Sequence, residues 1–264
     1  MDTLQAILLG IVQGITEFLP VSSSGHLQIA KEVLGVQLEE NLTFDVALHA
    51  ATVLSTIVVL WSEVARLLRG LFSRRFNEEQ AYVLKLLLSM IPIGIVGFTL
   101  KDRLDALLES PAILLVVGCM LLVTAALLAF AYYAKPRQKA QLSYRDAFLI
   151  GVAQAVAALP GLSRSGSTIA TGLLLGNRKQ TVAQFSFLMV LAPILGETFL
   201  ELMKGNLGAQ AIGSAPLAAG FVAAFVVGCL ACKFMIEIVK RGKLVWFALY
   251  CAAAGTVSIL SYVL

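Results

Sequence analysis

Gln13 and Glu17 stand four residues apart at the end of an apolar run, and Ser22, Ser23, Ser24, Gly25 and His26 follow just beyond Pro20. At that spacing an amide and a carboxylate share one face of a helix. Pro20 and the serine run end this helix and start another. Hydroxyls beside the unpaired N–H groups of a helix start make a ready anion site. His26 lies just inside the second helix. A second cluster runs from Pro160 to Ser167 and contains Gly161, Ser163, Arg164, Ser165 and Gly166. It repeats the hydroxyl-rich helix start and adds a guanidinium, which keeps its charge and offers phosphate oxygens a planar fork. Together the clusters supply one Arg, one Glu, one His and six serine hydroxyls. That set suits a phosphate ester or pyrophosphate, whose transfer needs positioning, charge neutralisation and an oriented nucleophile. Ser23, a water beside it and His26 all remain open as the nucleophile. With one strong carboxylate, a divalent cation would lean on Glu17 and on the phosphates themselves. Two blander readings compete: a Glu17–His26 hydrogen bond that only holds the turn, and a structural Glu17–Arg164 ion pair. The ion pair is compatible with ligand binding.

The elements that must position these groups are membrane elements. Of 264 residues 59% are hydrophobic and 14% charged, whereas soluble domains carry about 25% charged residues. A soluble fold could not hide so much apolar surface, so the bilayer is the solvent. The net charge of +4 does not point to nucleic acid, because the Lys and Arg residues mostly lie between apolar runs. Met1-Asp2-Thr3 has no basic leader region, so a cleaved secretory signal is not expected. Six runs are long enough to span: 44–61, 82–100, 112–134, 184–203, 216–239 and 244–263. Two more apolar stretches, 4–35 and 146–176, are broken by Pro, Gly and Ser and read as re-entrant hairpins of two short helices. The expectation is an all-α polytopic membrane protein, one domain over 1–264, with six transmembrane helices and two re-entrant helical hairpins.

Positive charge orients it. Arg66, Arg69, Arg74 and Arg75, then Lys135, Arg137, Lys139 and Arg145, then Arg178 and Lys179, then Lys240, Arg241 and Lys243 all fall on one side. That side is the cytoplasm, and both termini lie outside. The first hairpin enters from outside and the second from inside. A gapless shift of 141 residues superposes the hairpins, matching Gly10 to Gly151, Gln13 to Gln154, Ser22 to Ser163, Ser24 to Ser165, Gly25 to Gly166 and Gly35 to Gly176. Three spans separate the copies, so the halves, roughly 1–134 and 143–264, form an inverted-topology repeat with polar breaks converging near the midplane. That plan also fits a transporter that flips a phospholipid carrier between leaflets, and phosphate release would separate it from a phosphatase.

Other features weigh less. Cys229 and Cys232 form a CxxC inside an apolar run with no accompanying His, which reads as packing. Asp45 and His49 share a face near the first break, and Glu197 lies inside the fourth span. Pro92 and Pro193 read as kinks. Walker A and HExxH motifs are absent. Ser24-Gly25-His26 is similar to a triplet of phosphatidic-acid-type phosphatases, but Ala170 stands where their companion motif needs His.

Over essentially its whole length the chain resembles the bacterial undecaprenyl-pyrophosphate phosphatases, also called bacitracin-resistance proteins. Gln13 to His26, Pro160 to Gly166, and Phe44 to Thr52 carry the resemblance. It implies metal-dependent hydrolysis of a polyprenyl pyrophosphate, the lipid carrier of cell-wall synthesis, to the monophosphate. The protein would sit in the bacterial inner membrane with its site open to the periplasm. The implied catalytic residues are Glu17, Ser23, His26 and Arg164. Ser22, Ser24, Gly25, Ser163, Ser165, Gly166 and Ser167 would bind substrate. Glu17 and Gln13 would hold the cation, Mg²⁺ or Ca²⁺. The partners are the lipid and the bilayer, not nucleic acid, with a homodimer left open. The chain departs from many relatives at Gln13, where they carry Glu.

Overall fold

A computed structural model describes residues 1–36, 42–108, 110–133, 139, 141–196 and 213–263. The described residues form helices and connections, with a single isolated bridge between Lys139 and Asn177. The helices are α1 (Thr3–Thr16), α2 (Ser23–Val33), α3 (Leu42–Val59), α4 (Trp61–Leu71), α5 (Glu78–Thr99), α6 (Lys101–Leu108), α7 (Ile113–Tyr133), α8 (Tyr144–Val156), α9 (Arg164–Leu174), α10 (Lys179–Met189), α11 (Ser214–Arg241) and α12 (Val245–Val263).

Both broken stretches are pairs of short helices. Asp2 starts α1 through a capping box with Gln5, which satisfies two otherwise unpaired N–H groups. Ser22 caps α2 by accepting from Gly25 N, and Ser163 caps α9 by accepting from Gly166 N. The bounds of α2 and α9 coincide under the 141-residue shift. Gly35 and Gly176, which follow these helices, both adopt positive φ, +63° and +85°. Positive φ is nearly free of steric cost for glycine and marks a helix stop.

Close backbone approach fixes how the hairpins dock. α1 packs on α11 and α8 on α5. A Cβ on Gly10 would run into the carbonyl oxygen of Gly220, and one on Gly151 into that of Ser89. Equivalent glycines therefore let each hairpin lie directly against a long helix.

Among the described residues four helices are long and apolar enough to cross a bilayer: α5, α7, α11 and α12. The pair α3–α4 passes the same test together but bends by 81° between them. Large apolar side chains face outward throughout; Phe98 is 89% exposed and Phe130 67%. In water such a surface would be a liability, whereas in lipid it is the expected exterior.

Two sequence expectations need correction. The segment 62–81, which the expected spans 44–61 and 82–100 leave as their connection, is mostly helix. Trp61, Val64, Leu67, Leu68 and Leu71 recur every three or four residues opposite Arg66 and Arg69, so α4 is amphipathic. Asn77 and Gln80 then donate to the carbonyls of Gly70 and Leu71, closing the end of α4 while capping α5. The expected span 184–203 is likewise not one helix where it is described. α10 ends at Met189, Val190 breaks it, and helix resumes over 191–196. The rest of that run, including Glu197, lies outside the described residues.

Candidate active site

The site forms where the two breaks meet. Glu17 is the C-terminal cap residue of α1, and its side chain is 7% exposed. Its Oε1 accepts from Arg164 Nη2 at 2.9 Å. Its Oε2 accepts from Ser23 Oγ at 2.6 Å and from Gln13 Nε2 at 3.0 Å. Carboxylate, hydroxyl and guanidinium are thus one connected network drawn from both hairpins. Charge-assisted bonds of this kind are the strong ones. The Glu17–Arg164 pair foreseen as a structural alternative is present, and the Glu17–His26 bond is not.

The hairpins are tied elsewhere too. Ser165 Oγ donates to Leu19 O at 3.2 Å. Ser163 N donates to Thr124 Oγ1 of α7 at 3.0 Å, and Cys251 Sγ of α12 to Pro20 O at 3.4 Å. α7 and α12 therefore hold the breaks together from behind.

The serines divide into two kinds. Ser22 and Ser163 are buried and spend their oxygens on the caps, with Ser24 and Ser165 hydroxyls each 3.3 Å away. Gly25 and Gly166 donate their N–H groups to those caps. These four residues build the turns. Ser167 Oγ is buried without a hydrogen-bond partner among the described residues. Ser22 also holds φ +70° and ψ 99°, the one non-glycine residue at positive φ among those described. Such a conformation costs about 1–3 kcal/mol and persists only where its surroundings impose it. It aims Ser23 back at Glu17.

Two side chains join the site from outside the two breaks. His26 Nδ1 lies 2.9 Å from Ser22 O, so that nitrogen donates, and Nε2 meets Tyr250 Oη at 2.6 Å. The rings stack at 5.6 Å between centroids. Tyr250 lies 224 residues away on α12, and no periodicity in the sequence marks it. His49, on α3, places Nε2 3.8 Å from Glu17 Oε2. Asp45, one turn earlier, pairs with buried Lys31 of α2 at 2.5 Å. A cavity opens beside the Glu17–Arg164 pair, lined by Thr52, Thr56, Ser165, Ser186 and the rings of Phe18 and Phe187.

The donor set fits a hard divalent cation. Gln13 Oε1 is buried and lacks a hydrogen-bond partner among the described residues, which leaves an oxygen acceptor one helical turn from the carboxylate. Oxygen ligands plus substrate phosphates are the usual company of Mg²⁺. No group of three or more His, Cys, Asp or Glu residues forms a self-sufficient metal cage among the described residues.

Proteins of similar sequence show the family. The family described as bacitracin resistance protein BacA matches residues 6–257. An undecaprenyl-diphosphatase of Parabacteroides distasonis is 61% identical over 262 residues, 98% of each chain. One from Bacteroides thetaiotaomicron is 58% identical over 264 residues, 99% of each. One from Methanosphaera stadtmanae is 34% identical over 280 aligned positions, 98% of each. With the match running from α1 into α12 and enclosing both breaks, the chain belongs to the bacitracin resistance protein BacA family.

Proposed function

We propose that the chain hydrolyses undecaprenyl pyrophosphate to undecaprenyl phosphate and inorganic phosphate. The observation that carries this reading is the Ser23–Glu17–Arg164 network at the facing starts of α2 and α9. Helix starts and a guanidinium bind phosphate oxygens. Ser23 Oγ attacks the terminal phosphorus, and Glu17, which already holds its proton, removes it. The lipid monophosphate departs, and water then cleaves the phosphoserine to release phosphate. Arg164 turns its fork from Glu17 to the phosphoryl oxygens as charge builds there. His26, held by Ser22 O and Tyr250, handles a proton of the reaction. Gln13 and Glu17 would hold the divalent cation, Mg²⁺ or Ca²⁺, which supplies charge neutralisation when bound.

The finer architecture belongs to the same proposal. Six spans and two re-entrant hairpins form an inverted repeat in the bacterial inner membrane, with both termini periplasmic. The basic flank of α4 supports a cytoplasmic position for 62–81. The isoprenoid tail stays in the outer leaflet while the headgroup slides laterally into the cleft, because a charged headgroup does not cross apolar depth unaided.

Phosphate release from purified protein given a prenyl pyrophosphate is the test. A pure lipid flippase releases none, and that result would reject the phosphatase reading. Cysteine labelling that places 62–81 outside would reject the orientation.

A further inference from the structure

The chain has two histidines, and their surroundings differ. Both Nε2 atoms are the free end of a ring whose Nδ1 meets a backbone carbonyl. His26 Nε2 meets a hydroxyl that can donate to it, Tyr250 Oη. His49 Nε2 meets Glu17 Oε2 at 3.8 Å, an atom that can only accept. His49 Nδ1 lies 2.8 Å from Asp45 O, so Nδ1 donates there and Nε2 is the ring atom turned toward the carboxylate. A third acceptor, the buried Gln13 Oε1, has no partner among the described residues.

We infer that His49 is a third protein ligand of the divalent cation, beside Glu17 and Gln13. This rests on the reading that the site works on a cation-bound pyrophosphate. Two atoms each about 2.1 Å from one ion lie roughly 3–4 Å apart, and 3.8 Å falls in that range. A metal-bound imidazole typically gives its other N–H to a carbonyl, as His49 does to Asp45. The Asp45 carboxylate is in turn pinned by Lys31, buried to 2% exposure, which fixes the turn of α3 that presents the ring. One imidazole, one carboxylate and one amide make a mixed donor set. Such a set favours Mn²⁺ over Ca²⁺, since imidazole suits transition ions and Ca²⁺ takes oxygen. The imidazole thus takes over the place of the second carboxylate that Gln13 does not supply.

The test uses Mn²⁺ with methylenediphosphonate, a pyrophosphate analogue that is not cleaved, on the purified full chain. Electron spin-echo modulation reports nitrogen bound to Mn²⁺, and [¹⁵N]histidine labelling assigns that nitrogen to a histidine. The expected result is histidine coupling in the native protein and in His26→Gln, lost in His49→Gln. With two histidines in the chain, His26→Gln decides the assignment alone should the other variant not fold. Coupling that disappears in His26→Gln, or that survives in His49→Gln, overturns the inference. So does native protein without histidine coupling, as a protonated His49 paired to Glu17 would give. Absence of phosphate release from a prenyl pyrophosphate would reject the phosphatase reading separately, whatever the spectrum shows.

Discussion

Replacing Arg164 by lysine keeps the positive charge and removes the planar fork. In the structure Nη2 bonds Glu17 Oε1 at 2.9 Å, with the carboxylate side chain 7% exposed. A hydrogen bond to a charged group is worth about 1.5–3 kcal/mol. An ammonium turned to the phosphoryl oxygens lacks the two parallel N–H groups of the fork, so at least one such bond is lost. At 1.36 kcal/mol per decade, Arg164→Lys should lower kcat/KM by about 10- to 150-fold. Arg164→Ala goes further, because it strands a buried carboxylate at a cost of about 3–5 kcal/mol in stability. Adding Glu17→Gln removes the stranded charge, so the double variant should regain stability while remaining inactive. Phosphate release and thermal unfolding in detergent, measured on the three variants, separate the roles. Near-native turnover in Arg164→Lys would reduce the site to simple charge neutralisation. A double variant no more stable than Arg164→Ala would show that the pair is not desolvated as described.

Tyr250→Phe keeps the ring stack on His26 but removes its hydroxyl; at about 1 kcal/mol for the bond, turnover should fall roughly five- to tenfold with little change in unfolding temperature. Unchanged turnover would make Tyr250 a packing residue only. Gln13→Glu puts a second carboxylate one turn from Glu17, and should keep activity while lowering the cation concentration needed for half-maximal rate. Complete inactivity would mean that the Gln13–Glu17 hydrogen bond is itself required. Gly10→Val and Gly151→Val each force a side chain against a backbone carbonyl of the neighbouring long helix. Overpacking of that kind costs about 1–3 kcal/mol or more, visible as lost folded protein in size-exclusion chromatography, whereas native yields would deny the close approach.

Much of this was legible in the sequence because breaks in apolar runs are conspicuous. Pro20 and the Ser22–Gly25 run could not continue a helix, and the same pattern returned 141 residues later. The convergence of Glu17, Ser23 and Arg164 followed from placing both breaks at one depth. Tyr250 was invisible, since an aromatic in an apolar span carries no signal until α12 is seen to pack behind the first hairpin. Helix α4 was missed for a different reason. Its arginines served to set orientation, and their three-residue spacing against Trp61, Val64 and Leu67 was not read as a helix face. Gly25 and Gly166, which the resemblance implies as substrate-binding, give their N–H groups to the Ser22 and Ser163 caps, a role that only the geometry reveals.

The repeat supplies the frame and its departures supply the chemistry. Under the 141-residue shift Glu17 falls on Ala158, Ser23 on Arg164 and His26 on Ser167. One hairpin keeps the carboxylate, the hydroxyl and the imidazole, while the other keeps the guanidinium. A faithful duplication would set like charge against like charge where the breaks meet, which is costly at membrane depth. Dividing the roles lets Glu17 and Arg164 neutralise each other until a phosphate competes for the guanidinium. The backbone divides in the same way. Ser22 is held at φ +70° while its counterpart Ser163 rests at −68°. The strain therefore sits on the copy that must deliver a hydroxyl to a carboxylate, and the relaxed turn serves the copy that only has to present a cation. A serine at position 164 would restore the symmetry of the duplicated caps and leave Glu17 buried without a counter-charge, so the divergence of the copies is what makes their meeting point stable and reactive.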